Sequence, residues 1–546
     1  MAAFAFLLLS SCFCVLFLYF LWSRRRFYKV AWQLPGPIGL PFIGVGLNMM
    51  NPETFLQFME RTSKKYASPF ITWMGTSCFL YVNDPETVET IFNSPHCTNK
   101  GDFYRFMATA IGDGLFTSSS PRWNKHRRLI NPAFSRQVIN NFLPIFNAEA
   151  DVLLEKFETE GAAGKLEIYA MLKKSVLEAA CQTTMGKKMN FQNDGSSSIF
   201  AAYNGITDVC VRRMLSPWLY NDLVYRLSPL YVRQQKVVDV LYGFVENLLQ
   251  SVNKSANKLQ KEDADALWES VTKDAIDGLQ EKRMNKRGGA DGDDVDDANV
   301  DVDDAGGISK SKSIFVEQVR KHVDQGQLTW HDVRDEANVT IAATFETTST
   351  ALYLVCLCLA MHPEYQDKLY DELVELFPEN ANNFGDNKNS VPPVTNEHLE
   401  RMTYTEMVIN EAMRLFAPVP MVLRSASNDF HLRDGTVIPH GTQIGIDIYN
   451  LQRNPKVWGP RAHLFDPEHF SAAAMQEQHA FAFVPFTRGL RMCIGYRYAL
   501  MLMKVLLAKI FRNFRIHTDA RIENLIIKGT ISLKLLEYPL CVVTRR

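Results

Sequence analysis

Cys493 lies within Phe486-Thr487-Arg488-Gly489-Leu490-Arg491-Met492-Cys493-Ile494-Gly495, a run that surrounds one thiol with the parts an iron-bound thiolate needs. Such a ligand wants backbone N–H groups near the sulfur, a cation close by and an aromatic wall against water. Gly489, Arg491 and Phe486 fit those parts in that order, and Gly495 lets the backbone pass tightly after the sulfur. A buried structural cysteine is the ordinary reading of a lone Cys. The fixed offsets of Phe, two Gly, Arg and Cys weigh against it and make Cys493 the candidate haem ligand.

Three other sets could serve the same chemistry. Ala343-Thr344-Phe345-Glu346-Thr347-Thr348-Ser349-Thr350 places an acid and several hydroxyls in the middle of a helical pattern. Such hydroxyls bond back to carbonyls one turn earlier, which loosens a helix and can open a groove for a small ligand or water. The plain alternative is a Ser/Thr packing seam. Trp123-Asn124-Lys125-His126-Arg127 offers an indole N–H and a guanidinium, donor-only groups suited to a carboxylate, although an amphipathic basic helix would look alike. Glu411 and Arg414 fall three apart on one helical face, a spacing common in surface ion pairs.

Taken in chain order, these patterns resemble the signatures of the cytochrome P450 monooxygenases. The cysteine run matches F-x-x-G-x-R-x-C-x-G. The hydroxyl run matches A-G-x-[DE]-T-T, with Glu346 and Thr347 at the acid and alcohol positions of a proton relay, and departs from it at Thr344, where Gly is usual. Glu411 and Arg414 match the E-x-x-R pair. Its third member usually comes from a P-E-R-F segment, and here Pro467-Glu468-His469-Phe470 puts His in place of Arg, a weaker and pH-sensitive donor. The resemblance implies that Trp123, Arg127, Arg424 and Arg491 hold the haem propionates. Cys181 to Gly186, Arg212 to Leu219 and Arg334 to Asn338 resemble the family 4-like clan of fatty-acid ω-hydroxylases and insect microsomal enzymes. Many of its members carry, three residues before the acid, a Glu that becomes ester-linked to haem. Ala343 stands there, so haem b is expected to be non-covalent apart from the Cys493 thiolate–iron bond.

The implied activity inserts one oxygen atom from O2 into a small apolar organic substrate. Electrons would come from NADPH through NADPH–cytochrome P450 reductase, with cytochrome b5 as a further candidate partner. Arg122, Lys125, Arg128, Arg488 and Arg497 are candidates for a basic docking surface, scattered solvated charge being the alternative. Two other classes stay open: a haem-thiolate isomerase or dehydratase, and a non-catalytic haem- or lipid-binding relative suggested by Thr344, Gln452 and His469.

The resemblance implies that these residues sit on a scaffold that is mainly α with small β-sheets, the cytochrome P450 fold, in a single large catalytic domain with an N-terminal transmembrane helix. A chain of 546 residues with 47% hydrophobic content has ample material for a core, and a net charge of −1 argues against general nucleic-acid binding. Ten scattered cysteines without zinc spacings suit a reducing compartment. Residues 1–23 read as a signal-anchor, because Ala3 to Trp22 carry no charge and Arg24, Arg25 and Arg26 follow at once. The positive-inside rule puts the chain beyond them in the cytosol, at the endoplasmic reticulum membrane. Residues 24–45 form a basic, proline-rich hinge and 46–546 the catalytic domain. A helix is expected from Thr329 to the stop at Pro363, another from Tyr498 to Phe511, and a strand pair around Gly75. The stretch from about 288 to 307 holds eight Asp and reads as a disordered loop. It fails as a calcium loop, with Ala298 where Gly is needed and no closing Glu.

Overall fold

The computed structural model describes residues 2–40, 43–161, 164–193, 198–261, 314–378 and 392–546. The acidic segment 288–307 lies outside these described residues.

Helices dominate, and the longest apolar one runs from Trp330 to Met361. Its start is fixed by Thr329, whose hydroxyl accepts the Asp332 N–H at 3.1 Å while the Asp332 carboxylate accepts the Thr329 N–H at 2.8 Å, the reciprocal cap expected from these residues. It ends before Pro363, which cannot continue it. This helix is long and apolar enough to cross a bilayer, yet 78% of its apolar stretch is buried inside the protein. It is the central core helix, packed against Ile168–Met185, Thr403–Leu415 and Tyr496–Asn513. Cys356 and Cys358 are fully buried within it.

A five-stranded sheet flanks this core in the order Phe70–Met74, Ser77–Val82, Gln443–Asp447, Met421–Ser425 and Asn99–Lys100. The expected pair around Gly75 is its outer hairpin, where Gly75 takes φ 59°. At the other edge the antiparallel register sets Lys100 opposite Arg424 and Asn99 opposite Ser425, so strand pairing brings two cations together from distant parts of the chain. A two-stranded hairpin, Ile527–Gly529 with Leu533–Leu535, lies near the C-terminus.

The uncharged N-terminal segment is one helix, Ala2–Ser23, whose 22 residues reach about 33 Å at 1.5 Å per residue, against about 30 Å of bilayer hydrocarbon. Its Phe6, Leu9 and Phe13 are exposed. The basic first part of residues 24–45 is helical. Arg25–Gln33 is a second helix, and only at Leu34, before Pro35, does the backbone become extended (φ −105°, ψ 144°). A residue preceding proline is pushed out of the helical region, so the extended piece begins where the proline-rich run does.

Candidate active site

A cavity of about 230 Å³ is shared by the cysteine loop and the middle of the helix Trp330–Met361. Phe486, Arg491, Cys493 and Gly495 line it from the loop, Ala343, Thr344 and Thr347 from the helix, and Trp123, Arg127 and Arg424 from the side.

The Cys493 N–H donates to the Phe486 carbonyl at 2.9 Å, closing the loop on itself. Burial pushes the Cys493 thiol up, and the Gly495 N–H and the Arg127 guanidinium pull it back toward the thiolate. Cys493 has accessible surface although protein surrounds it, because that surface faces the cavity. Cys78 and Cys210, by contrast, are core thiols that burial pushes up to about 12.

The two glycines of the loop do different work. Gly489 has φ +71°, and a Cβ there would lie 2.2 Å from the Phe92 carbonyl oxygen, so both its conformation and its bareness are required. At Gly495 a Cβ would meet only Phe134, at 3.9 Å. The expected tight passage is therefore absent from the protein's side, and Gly495 contributes its N–H to the sulfur and the start of the helix Tyr496–Asn513.

Arg491 donates from Nε to Thr98 O at 2.7 Å and from Nη2 to Ser118 O at 2.9 Å, and its guanidinium lies 3.8 Å from the Trp123 ring centroid. Its Nη1 is buried without a partner. Burial, then repulsion from Arg424 and Arg127, lowers the Arg491 pKa to about 9. Arg424 is buried, with one backbone bond from Nη1 to Leu423 O at 3.1 Å, and Arg127 donates to Met492 O at 3.0 Å. Lys100 completes the group and was not singled out by any sequence pattern. Burial, with Arg424 and Arg491 beside it, pushes its pKa well below the usual lysine range. Among the described residues no carboxylate pairs with Lys100, Arg424 or Arg491. Cations held together without counter-charge, Arg424 buried and Lys100 and Arg491 half-buried, fit an anionic ligand, and the two propionates of a haem would suit the donor set.

On the helix, the Thr347 hydroxyl donates to the Ala343 carbonyl at 2.8 Å and the Ser349 hydroxyl to Phe345 O at 2.6 Å. The back-bonding is as expected, and the helix nonetheless runs through the segment without a break. Glu346 and Thr347 do not meet at the cavity. Neighbours on a helix point about 100° apart, and Glu346 faces away, its Oε1 accepting from Ser532 Oγ at 2.5 Å and Lys534 Nζ at 2.9 Å, with Lys173 Nζ 3.4 Å from Oε2. Burial alone would push its carboxyl up. The two lysines and the serine outweigh that and hold it at about 2. A different acid, Glu336, reaches the cavity wall, but both its oxygens are engaged, by His126 Nδ1 at 2.7 Å and the Leu115 N–H at 2.9 Å.

Behind the cysteine, Glu411 and Arg414 form a fully buried pair through bonds of 2.7 and 2.8 Å. Arg414 also donates to Gln452 O, Ala462 O and Leu464 O. His469 does fill the place of the missing arginine, with Nδ1 3.0 Å from Glu411 Oε1. Gln452 joins this brace to the cysteine loop, donating to Met413 O and accepting the Val484 N–H at 3.0 Å. Of the basic docking candidates, Arg122 is tied to Asp332 at 2.7 Å, while Lys125, Arg128, Arg488 and Arg497 are exposed.

A family model described as Cytochrome P450 matches residues 34–302 and 303–542. The chain is 61% identical to the probable cytochrome P450 313b1 of Drosophila melanogaster, over 99% of this chain and 100% of that one. It is 34% identical to the probable cytochrome P450 313a4 of the same fly, over 97% of each chain. Cytochrome P450 4c3, also of Drosophila melanogaster, is 29% identical over 94% of this chain and 89% of its own length.

Proposed function

Because this chain belongs to the cytochrome P450 family, we propose that it is a haem-thiolate monooxygenase acting on an uncharged apolar substrate, with Cys493 as the iron ligand. The observation that carries this reading is one cavity shared by the Cys493 thiol, the Thr347 hydroxyl and the unpaired, buried Arg491 Nη1. Bound there, haem b would supply the reductive activation of O2 that the side chains cannot perform.

The protein's own residues do the rest. Lys100, Trp123, Arg127, Arg424 and Arg491 are the residues that would hold the propionates. The Gly495 N–H and Arg127 stabilise negative charge on the sulfur, Phe486 shields it, and Gly489 keeps the loop docked on Phe92. Thr347 presents a hydroxyl able to pass a proton into the cavity, and Glu346 supplies the proton once released from its lysines. Apolar lining around Val339, Ala343, Ala351 and Val419 excludes water from the substrate and offers a carboxylate-bearing one no cation of its own.

Electrons are proposed to come from NADPH through the reductase, with cytochrome b5 as an accessory, docking near Lys125, Arg128, Arg488 and Arg497. The helix Ala2–Ser23 followed by Arg24, Arg25 and Arg26 supports anchoring in the endoplasmic reticulum membrane with the catalytic domain facing the cytosol. Exposed Leu223 and Leu227, at 73% and 89%, give a further apolar surface for lipid. The withdrawn position of Glu346 is the one feature favouring an isomerase or dehydratase, which needs no proton relay.

Reconstitution with the reductase tests these readings together. Substrate-dependent consumption of NADPH and O2 with hydroxylated product is expected, and turnover of a peroxide without NADPH would select the isomerase. Reduced, CO-bound protein should show the red-shifted Soret band of thiolate ligation, and retention of that band in Cys493→Ala would overturn the ligand assignment.

A further inference from the structure

A second cavity, of about 120 Å³, meets the first at Tyr104, Phe116 and Val419. Its wall carries Met49, Met74, Met107, Met214 and Met421 and no charged side chain. Flexible thioethers around an apolar space accommodate varied apolar shapes. One side of this vestibule is the tip of the C-terminal hairpin, through Gly529, Thr530 and Ile531.

The next residues of that hairpin face the acid. Ser532 and Lys534 both bind Oε1 of Glu346. The turn transmits between the two sides directly, since the Thr530 N–H donates to Ser532 O at 3.3 Å and the Thr530 hydroxyl bonds to the same oxygen. The hairpin is held elsewhere by Leu533 N–H on Pro418 O at 2.8 Å and by Gly529 seated against Phe55 and Leu56, where a Cβ would lie 2.7 Å from each. Gly529 and Leu533 are fixed, the tip between them is the part left to yield and carries Ser532 with it, and Lys534, just beyond on the strand, reaches Glu346 by a long side chain that swings free once the serine bond is lost.

Resting on the monooxygenase reading, we propose that Ser532 and Lys534 are positioning residues that hold Glu346 away from the cavity, and that an uncharged apolar ligand in the vestibule loosens their grip by pressing on Thr530 and Ile531. A carboxyl held at about 2 is almost never protonated near neutrality and is a poor proton carrier there. Losing Lys534 and Ser532 leaves the burial that pushes it up, opposed by Lys173 alone. Released, the carboxylate takes a proton from solvent hydronium and gives it to Thr347 Oγ as that hydroxyl gives up its own proton to the cavity, which returns the carboxylate to its ionised form. Proton supply is thereby tied to substrate occupancy, which limits the idle reduction of oxygen in an empty enzyme. The ligand drives the change only through its differing contacts with the two positions of the tip. The other titratable groups around Glu346 are Lys173 and Tyr169 on the helix Ile168–Met185 and Tyr538 beyond the hairpin. Lys173 is held at about 8 by burial and also bonds Asn204 at 2.5 Å.

The test uses the full-length, oxidised holoenzyme without NADPH or reductase, so it stands apart from the test of function. Isotope-edited infrared spectroscopy follows the protonated carboxyl band that Glu346→Gln removes, and amide hydrogen exchange follows 526–536. Lys534→Gln and Ser532→Ala should raise the midpoint of that band by at least about one pH unit, tenfold more protonated form at fixed pH, and Lys534→Arg should restore it. Met214→Trp, which enlarges a side chain of the vestibule wall, should raise the midpoint and speed exchange at 530–534, with Met421→Phe as the gentler filling should the first variant fail to fold. Unchanged midpoints in Lys534→Gln would overturn the clamp. A shift in Lys534→Gln with none in either filled variant would overturn its coupling to the vestibule.

Discussion

Gly489→Ala should be among the most damaging single-methyl changes in the molecule, and the structure separates its two causes. Gly489 has φ +71°, where a side chain costs about 1–2 kcal/mol from its own backbone. The added Cβ would also lie 2.2 Å from the Phe92 carbonyl oxygen. Relieving that overlap requires the loop or the end of the helix Pro85–Asn93 to move by nearly an ångström, a backbone displacement worth about 1–3 kcal/mol. Gly435 provides the control, with φ +83° and nothing within 4 Å of its would-be Cβ. Gly435→Ala should show the conformational cost alone, about 1–2 kcal/mol, and Gly489→Ala about 2–5 kcal/mol when the overlap is added. Denaturant midpoints of the two holo variants, read beside the CO-difference band per mole of protein, measure both effects. The displacement at Gly489 passes to Cys493 four residues on, so the band should fall in that variant and not in Gly435→Ala. Equal midpoints and equal bands would refute the claim that the Phe92 contact fixes the cysteine loop.

Three further outcomes follow from the same geometry. His469→Ala removes one donor from buried Glu411 and should cost about 1.5–3 kcal/mol, with His469→Arg retaining most of it, whereas Glu411→Gln strands the charge of Arg414 at a cost of about 3–5 kcal/mol and should abolish haem-loaded protein; chemical denaturation reads all three. In haem-free protein the cluster of Lys100, Arg424 and Arg491 lacks a counter-charge, and because Lys100 has a lowered folded pKa the unfolded state binds more protons between that value and about 10.5, so stability should rise with pH across that window; Lys100→Met should flatten the rise, and an unaltered slope would remove Lys100 from the cluster. Ala343 lines the cavity with only a methyl group and cannot form an ester, so acidified organic solvent should extract all the haem, and covalently retained haem would sink the alignment through Glu346 and Thr347.

What was legible in the chain is what is local to it. The cysteine loop, the capped start of the core helix and the Glu411 and Arg414 pair each occupy a few consecutive residues whose spacing carries their geometry. Lys100 carries no signal of its own in the chain, because its neighbour Arg424 is supplied by strand register, and a short edge pairing leaves little hydrophobic pattern to read. The helix Arg25–Gln33 was hidden by the prolines that follow it, although the first of them limits only the residue before it.

Glu346 shows the limit most clearly. Its adjacency to Thr347 suggested that acid and alcohol act side by side, but adjacent residues on a helix diverge, and which of them meets the cavity depends on what packs against the other. Lys173 comes from a helix far upstream and Ser532 and Lys534 from the C-terminal hairpin. Three partners holding one ionised carboxylate outweigh its burial, so its resting place is set by charges that no local motif contains. Thr347, whose hydroxyl is satisfied one turn back, has no such competitor and stays at the cavity. The division between a hydroxyl at the cavity and a carboxylate held away from it therefore arises from tertiary electrostatics, and a chain with the same helix but a neutral residue at 534 would be expected to rest with its carboxylate less firmly withdrawn.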